Sequence, residues 1–167
     1  MKKILSLTLA AIFVIGLTAL AQGKKAEGDT TAKSRSDHFE FNVHETDPSA
    51  YLGTGHVNYS RPDKFDYTFE VKYVRVSEEE HVVWFAGQVT GSKYGQNLDR
   101  WMAFVFCSKE NGKCPTDMQG GQWVPDVNMS TEEQETIALE WVKNGLPDPY
   151  VSTSQVIKGN LIISFED

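Results

Sequence analysis

Cysteine is nearly absent from this chain: Cys107 and Cys114 are the only two in 167 residues. That is too few for a scaffold held by several disulfides or for a four-cysteine metal site. Basic residues are also in the minority, 16 against 23 acidic ones, for a formal net charge of −7. With its lysines and arginines scattered, such a chain has no electrostatic footprint for nucleic acid and is poorly suited to anionic lipid. After the first 21 positions no run of 18 apolar residues occurs, so no later segment is expected to span a membrane as a helix. Enzyme signatures are missing too. His44-Glu45 lacks the second histidine of H-E-x-x-H, and Gly53-Thr54-Gly55 is not a nucleophile elbow. Asp126 opens like a calcium loop, but Thr131 stands where glycine is required and Ile137 where glutamate is required. No catalytic residue, no cofactor and no enzyme class is assigned.

What is present begins with a leader. Lys2-Lys3 precede an apolar or small-residue run from Ile4 to Leu20, and Ala19-Leu20-Ala21 supplies an A-x-A cleavage site. Residues 1–21 are therefore expected to be a signal peptide. No cysteine follows the run, so no lipoprotein anchor is expected, and the mature protein would be secreted or periplasmic. The leader carries two lysines and no acid, so its removal takes the formal charge from −7 to −9. Residues 22–36 hold no bulky apolar side chain and are expected to form a flexible linker. Residues 37–167 are expected to form a single β domain.

The organising stretch of that domain runs from Phe65 to Val89. Phe65, Tyr67, Phe69, Val71 and Tyr73 alternate with Asp66, Thr68, Glu70 and Lys72, the period of a strand with one buried face. The phase changes at Val74 and Val76, which predicts a bulge around Lys72 to Val74. His81 to Val89 and Trp101 to Phe106 are apolar on both faces, as in strands covered from two sides. The link Ser77-Glu78-Glu79-Glu80 makes the first two a hairpin. Upstream, Phe39, Phe41 and Val43 alternate with polar residues. A turn at Asp47-Pro48-Ser49 then leads into a strand through Gly55 to Tyr59.

Asn111-Gly112 lies between the cysteines and reads as a hairpin turn, with a four-residue loop placing Cys107 opposite Cys114. In an exported chain a disulfide between them is expected. Pro115 to Gly121 reads as a turn-rich connection. Ser130 and Glu133 form a capping box that opens a helix at 131–144, with Ile137, Ala138, Trp141 and Val142 on one stripe and Gly145 as its stop. Tyr150 to Ile157 and Leu161 to Phe165 read as a terminal hairpin across Lys158-Gly159-Asn160. The fold expected is all-β: a small antiparallel up-and-down barrel of about eight strands, its end closed by the one helix. A two-sheet β-sandwich is the alternative.

Several segments together resemble a family of small exported bacterial proteins of uncharacterised function, described as post-COAP-like. They are Glu45-Thr46-Asp47-Pro48-Ser49, Gly55-His56-Val57-Asn58-Tyr59, Glu70-Val71-Lys72-Tyr73-Val74, Trp84 to Gly91, and Trp141-Val142-Lys143-Asn144-Gly145. The resemblance implies an all-β fold and brings no catalytic residues. The chain departs from it at Cys107 to Cys114, where such proteins carry a Gly/Pro-rich loop.

Candidate sites are few. His44 could meet His56 across a hairpin as a weak metal candidate beside Glu45, although a solvated histidine pair is the simpler account. A hydrolase would need His56 beside Asp47 or Glu45 and a nucleophile. Tyr51, Tyr94 and Trp123 are the aromatics expected to be exposed and available for contact with a small ligand or a surface glycan. The function expected is an exported non-catalytic β module with a binding or structural role at the cell envelope. The alternative is a lipocalin-like carrier of a small apolar ligand, which needs a hollow interior. Filling by Phe39, Phe41, Phe69, Trp84 and Phe104 would exclude it.

Overall fold

In the computed structural model, residues 24–32, 36–111, 114–125, 128–147 and 154–164 are described. The expected leader lies outside them. Eight strands follow one another: β1 (Lys25–Ala32), β2 (His38–Asp47), β3 (Leu52–Arg61), β4 (Phe65–Ser77), β5 (Val82–Ser92), β6 (Trp101–Cys107), β7 (Met118–Trp123) and β8 (Ser154–Ser164). Among the described residues there is one α-helix, α1 (Thr131–Asn144), which precedes β8. Each strand pairs antiparallel with the next, and β8 pairs back to β1, closing an up-and-down barrel in chain order. A sandwich is not formed, because no strand leaves the ring for a second sheet.

The linker expected at 22–36 is corrected by β1. Lys25–Ala32 is ordered between β2 and β8, from Lys25↔His44 to Thr31↔His38 on one side and Lys25↔Ser164 to Ala32↔Val156 on the other. Its inward residues, Ala26, Thr30 and Ala32, are small and fully buried. The ladder and the large side chains of β2 supply the burial that its own residues lack. The terminal hairpin is corrected as well: β8 is one continuous strand. Gly159, at φ 104°, does not turn the chain but lets it pass against β1, where a Cβ would stand 1.7 Å from the Asp29 carbonyl oxygen.

The interior is filled by aromatic rings in contact. Phe39 stacks on Tyr59 at 4.4 Å and meets Phe106 edge-on at 5.6 Å. Phe104 lies 5.1 Å from both Phe69 and Phe85. Phe41 sits 4.3 Å from Phe106. Each such ring contributes about 1.5–3 kcal/mol by leaving water, and each pair about 0.5–1.5 more. Trp84, expected inside, is on the outer wall instead.

Helix α1 explains why two strands are apolar on both faces. Val83, Phe85, Phe104 and Phe106 enter the barrel core, while Ala86, Trp101 and Ala103 form a second cluster with Ala138 and Val142 of α1. The helix thus covers the outer face of β4–β6 rather than closing an end of the barrel. Its start is the capping box read from the sequence: the Glu133 amide donates to Ser130 Oγ at 3.2 Å, and the Ser130 amide donates to the Glu133 carboxylate at 2.8 Å. Gly145, at φ 87°, ends it.

Cys107 and Cys114 are disulfide-bonded, with Cα atoms 6.3 Å apart. The register of their hairpin differs from expectation. Cys107 faces Met118 across the ladder, so the strand resumes four residues later than Cys114, and Met118–Trp123 is a strand where turns were expected up to Gly121 and a short strand at best over Gln122-Trp123-Val124. A single 3₁₀ turn at Lys109–Asn111 takes up the extra chain, and the disulfide staples that loop at its base.

Candidate functional site

The bulge predicted near Lys72 builds the most distinctive part of the surface. In the β4–β5 ladder Val71 faces Gly87 but Tyr73 faces Ala86, so two residues of β4 advance against one of β5. Val71, Val74 and Val76 point into the barrel, and Tyr73 is turned outward beneath α1. The neighbouring strand is irregular at the same level: Leu52 faces Tyr73 and Gly55 faces Val71, leaving Gly53 and Thr54 against Lys72. Gly55, at φ 148°, is required there because a Cβ would stand 2.1 Å from the Asn42 carbonyl oxygen.

The displaced residues hold the helix. Lys72 and the Tyr73 hydroxyl both donate to the Glu135 carboxylate, the latter at 2.6 Å. Burial acts to raise the Glu135 pKa, but the hydrogen bonds from Lys72 and Tyr73 outweigh it and bring the carboxyl below its ordinary value. Its bond to Glu135 raises Lys72 correspondingly, while Tyr73 is raised first by burial and then by the same carboxylate. Buried Gln134 accepts from the Trp101 backbone N–H at 3.3 Å. At the other end of α1, Arg75 lies 3.7 Å over the ring of Trp84, its cross-strand partner, and donates to the Lys143 carbonyl. This removes one unsatisfied helix carbonyl.

Between α1 and the wall lies a groove of about 360 Å³, lined by Gly53, Thr54, Glu70, Val71, Lys72, Gln88, Trp101 and Glu135. Its polar groups differ in their commitments. Lys72 and Glu135 neutralise one another, and Gln88 donates to the Asp99 carbonyl at 3.0 Å. Trp101 is only 3 % exposed, and its indole N–H has no acceptor. None of these groups is poised to act as a nucleophile with a base beside it.

A second groove, about 330 Å³, crosses the outside of β8, β1, β2 and β3 and includes Glu27, Asp29, Glu40 and His56. Among the described residues no group of three histidine, cysteine or carboxylate side chains is arranged to hold a metal ion. His44 faces Thr54, and His56 faces Asn42, so the two histidines are not cross-strand partners. Both are exposed on the outer face, whereas Glu45 is buried at 3 % exposure and accepts from the Val76 amide at 3.2 Å. Asp47 is occupied by its own turn, accepting from the Ser49 hydroxyl and amide. His56 therefore has neither of the carboxylates a hydrolase would have required.

The three candidate aromatics separate. Tyr94 is exposed at 53 %, in the β5–β6 loop beside Lys93. Tyr51 is half-buried against the cluster under α1. Trp123 is half-buried against the barrel core, edge-on to Tyr67 at 5.4 Å, with Arg100 at 5.0 Å over its ring. Sequence reasoning missed Trp101, Glu70, Thr54, Gln134 and the Lys72–Glu135 latch. For Gln134 a signal existed: it lies four and eight residues before Ala138 and Val142 on the same helix face. The disulfide fits an oxidising compartment. Among the described residues no helix is long and apolar enough to cross a membrane. No family model, curated protein or solved structure matches this chain.

Proposed function

We propose that the protein is an exported, non-catalytic β-barrel module that acts by binding at its outer surface, at the cell envelope. The observation that carries this reading is the interior: Phe39, Phe41, Phe69, Phe85, Phe104 and Phe106 are buried and in ring-to-ring contact where a carrier would hold its ligand. Export is supported by the leader-like residues 1–21 and by the Cys107–Cys114 disulfide. The non-catalytic character is supported by the placement of His56 and Glu45 on opposite faces of the wall.

Titration of the folded protein with an apolar fluorescent probe, such as a fluorescent fatty acid, tests the reading. The expected result is no saturable binding. Stoichiometric uptake displaced by unlabelled fatty acid would favour the carrier and overturn the surface-binding assignment. Thiol labelling of protein recovered from outside the cytoplasm tests export: both cysteines should resist alkylation until a reductant is added.

A further inference from the structure

Resting on the export half of that reading, we propose that Asn128 is an acceptor for an N-linked oligosaccharide, a modification site just ahead of α1. Two segments carry the acceptor pattern Asn-x-Ser with no proline between: Asn58-Tyr59-Ser60 and Asn128-Met129-Ser130. A transferase must draw the asparagine, the next residue and the serine into its own cleft. The pattern is therefore usable on an exposed surface segment and not inside a packed ladder. The structure separates the two.

Asn58 lies within β3, facing Glu40 on one side and Thr68 on the other. Its side-chain amide donates to the Glu40 carboxylate at 3.3 Å, and its side-chain oxygen accepts from the Thr68 hydroxyl at 3.3 Å. Tyr59 is buried and stacks on Phe39 inside the barrel. That segment cannot leave the wall without pulling a ring from the core. Asn128 is exposed and belongs to no strand or helix. Ser130, also exposed, follows as the N-cap in an extended conformation, φ −61° and ψ 159°. Its hydroxyl oxygen accepts from the Glu133 amide at 3.2 Å, which leaves the hydroxyl hydrogen to be donated. In the sequence Asp126 stands two positions before Asn128 and His56 two before Asn58, so a transferase that also reads an acid there accepts only the former.

The co-reactant is an oligosaccharide carried on a polyprenyl diphosphate. The Asn128 side-chain nitrogen attacks the anomeric carbon of the first sugar. The carbon–nitrogen bond forms as the bond from that carbon to the diphosphate oxygen breaks. The diphosphate leaves with the electron pair, one amide proton passes to a base of the transferase, and nothing is oxidised or reduced.

The test incubates the folded, disulfide-bonded mature chain with a polyprenyl-diphosphate oligosaccharide and a purified oligosaccharyltransferase. The enzyme is one that reads Asn-x-Ser alone, so that structure and not flanking sequence selects the site. Intact mass and peptide mapping read the product. One glycan per chain is expected, on Asn128, with the melting temperature unchanged. The reduced, unfolded chain should take a second glycan at Asn58. Asn128→Gln should abolish transfer to the folded chain, and Asn58→Gln should leave it whole. Ser130→Ala should lose transfer along with the helix cap, whereas Ser130→Thr keeps both and should remain a substrate. If Ser130→Ala does not fold, Asn128→Gln and Ser130→Thr carry the comparison. No transfer to the folded chain when the unfolded one is modified, transfer to Asn58 in the folded chain, or a product that survives Asn128→Gln would overturn the assignment. Export is tested separately, by the thiol labelling, which does not involve the transferase.

Discussion

Two carboxyl groups in this protein, buried Glu45 and half-buried Glu135, pull in opposite directions with pH. Glu45 lies at 3 % exposure, and burial raises its pKa despite the Val76 amide bond and the attraction of Lys24. The folded state therefore favours its protonated form. That contribution is complete below the ordinary carboxyl value of 4.5 and is lost as pH rises through the raised folded value. At neutral pH an ionised Glu45 is a cost to stability. Glu45→Gln keeps an oxygen for the Val76 N–H, so the variant should melt above the parent at pH 7, with the difference closing near pH 4. A lower melting temperature at pH 7 would show that Lys24 outweighs burial. In the core, Phe104 is 0 % exposed and touches Phe39, Phe69 and Phe85. Phe104→Ala should cost about 3–5 kcal/mol in chemical denaturation.

Between elements, the decisive contact is the docking of α1. Glu135 has a lowered pKa, so its contribution is present above the ordinary value of 4.5 and is lost as pH falls through the folded one. Lys72 is half-exposed, so solvent screens its share of the effect, while the Tyr73 hydroxyl bond is part-buried. Glu135→Gln is expected to cost about 1 kcal/mol at pH 7 and nothing in acid, read from urea midpoints across pH. The bulge offers a sharper comparison. Lys72→Ala removes an exposed charge and should cost under about 1 kcal/mol. Deleting Lys72 keeps the later side chains of β4 on their faces but removes the bulge and its bend, and leaves Gly53-Thr54 of β3 without the residue they oppose. It should destabilise far more than the substitution, and equal urea midpoints would exclude the bulge as the source of the helix dock. This bulge was legible beforehand, because Val74 and Val76 break the phase of Phe65 to Tyr73. Its consequence was not, since nothing local says that Tyr73 and Lys72 will meet a carboxylate 62 and 63 residues away.

For the whole molecule, closure depends on elements with weak sequence signatures. β1 contributes Ala26, Gly28 and Thr30 to the wall, residues too small to announce a strand. Gly28 is needed small because a Cβ would come within 2.6 Å of the Phe41 ring. The disulfide secures only the loop between β6 and β7. By chain entropy a loop of this size contributes about 2.5 kcal/mol. Reduction should lower the unfolding free energy by that amount, read from denaturant midpoints, while leaving the far-ultraviolet spectrum unchanged below the transition. A loss of strand signal on reduction would mean that the staple holds the barrel rather than its loop.

The all-β class, the helix with its capping box and stop, the central hairpin with its bulge, and the cysteine pairing were all determined by the sequence alone. Each rests on interactions between residues close in the chain or on a period that survives without a partner. Tertiary structure alone decided that residues 25–32 form a strand, that β8 is continuous, that α1 covers a wall instead of an end, and that Trp101, Glu70 and Thr54 line one groove. Those outcomes depend on which distant segment supplies the missing ladder or the missing burial. A side chain too small or too polar to bury itself leaves no mark of that in its own neighbourhood.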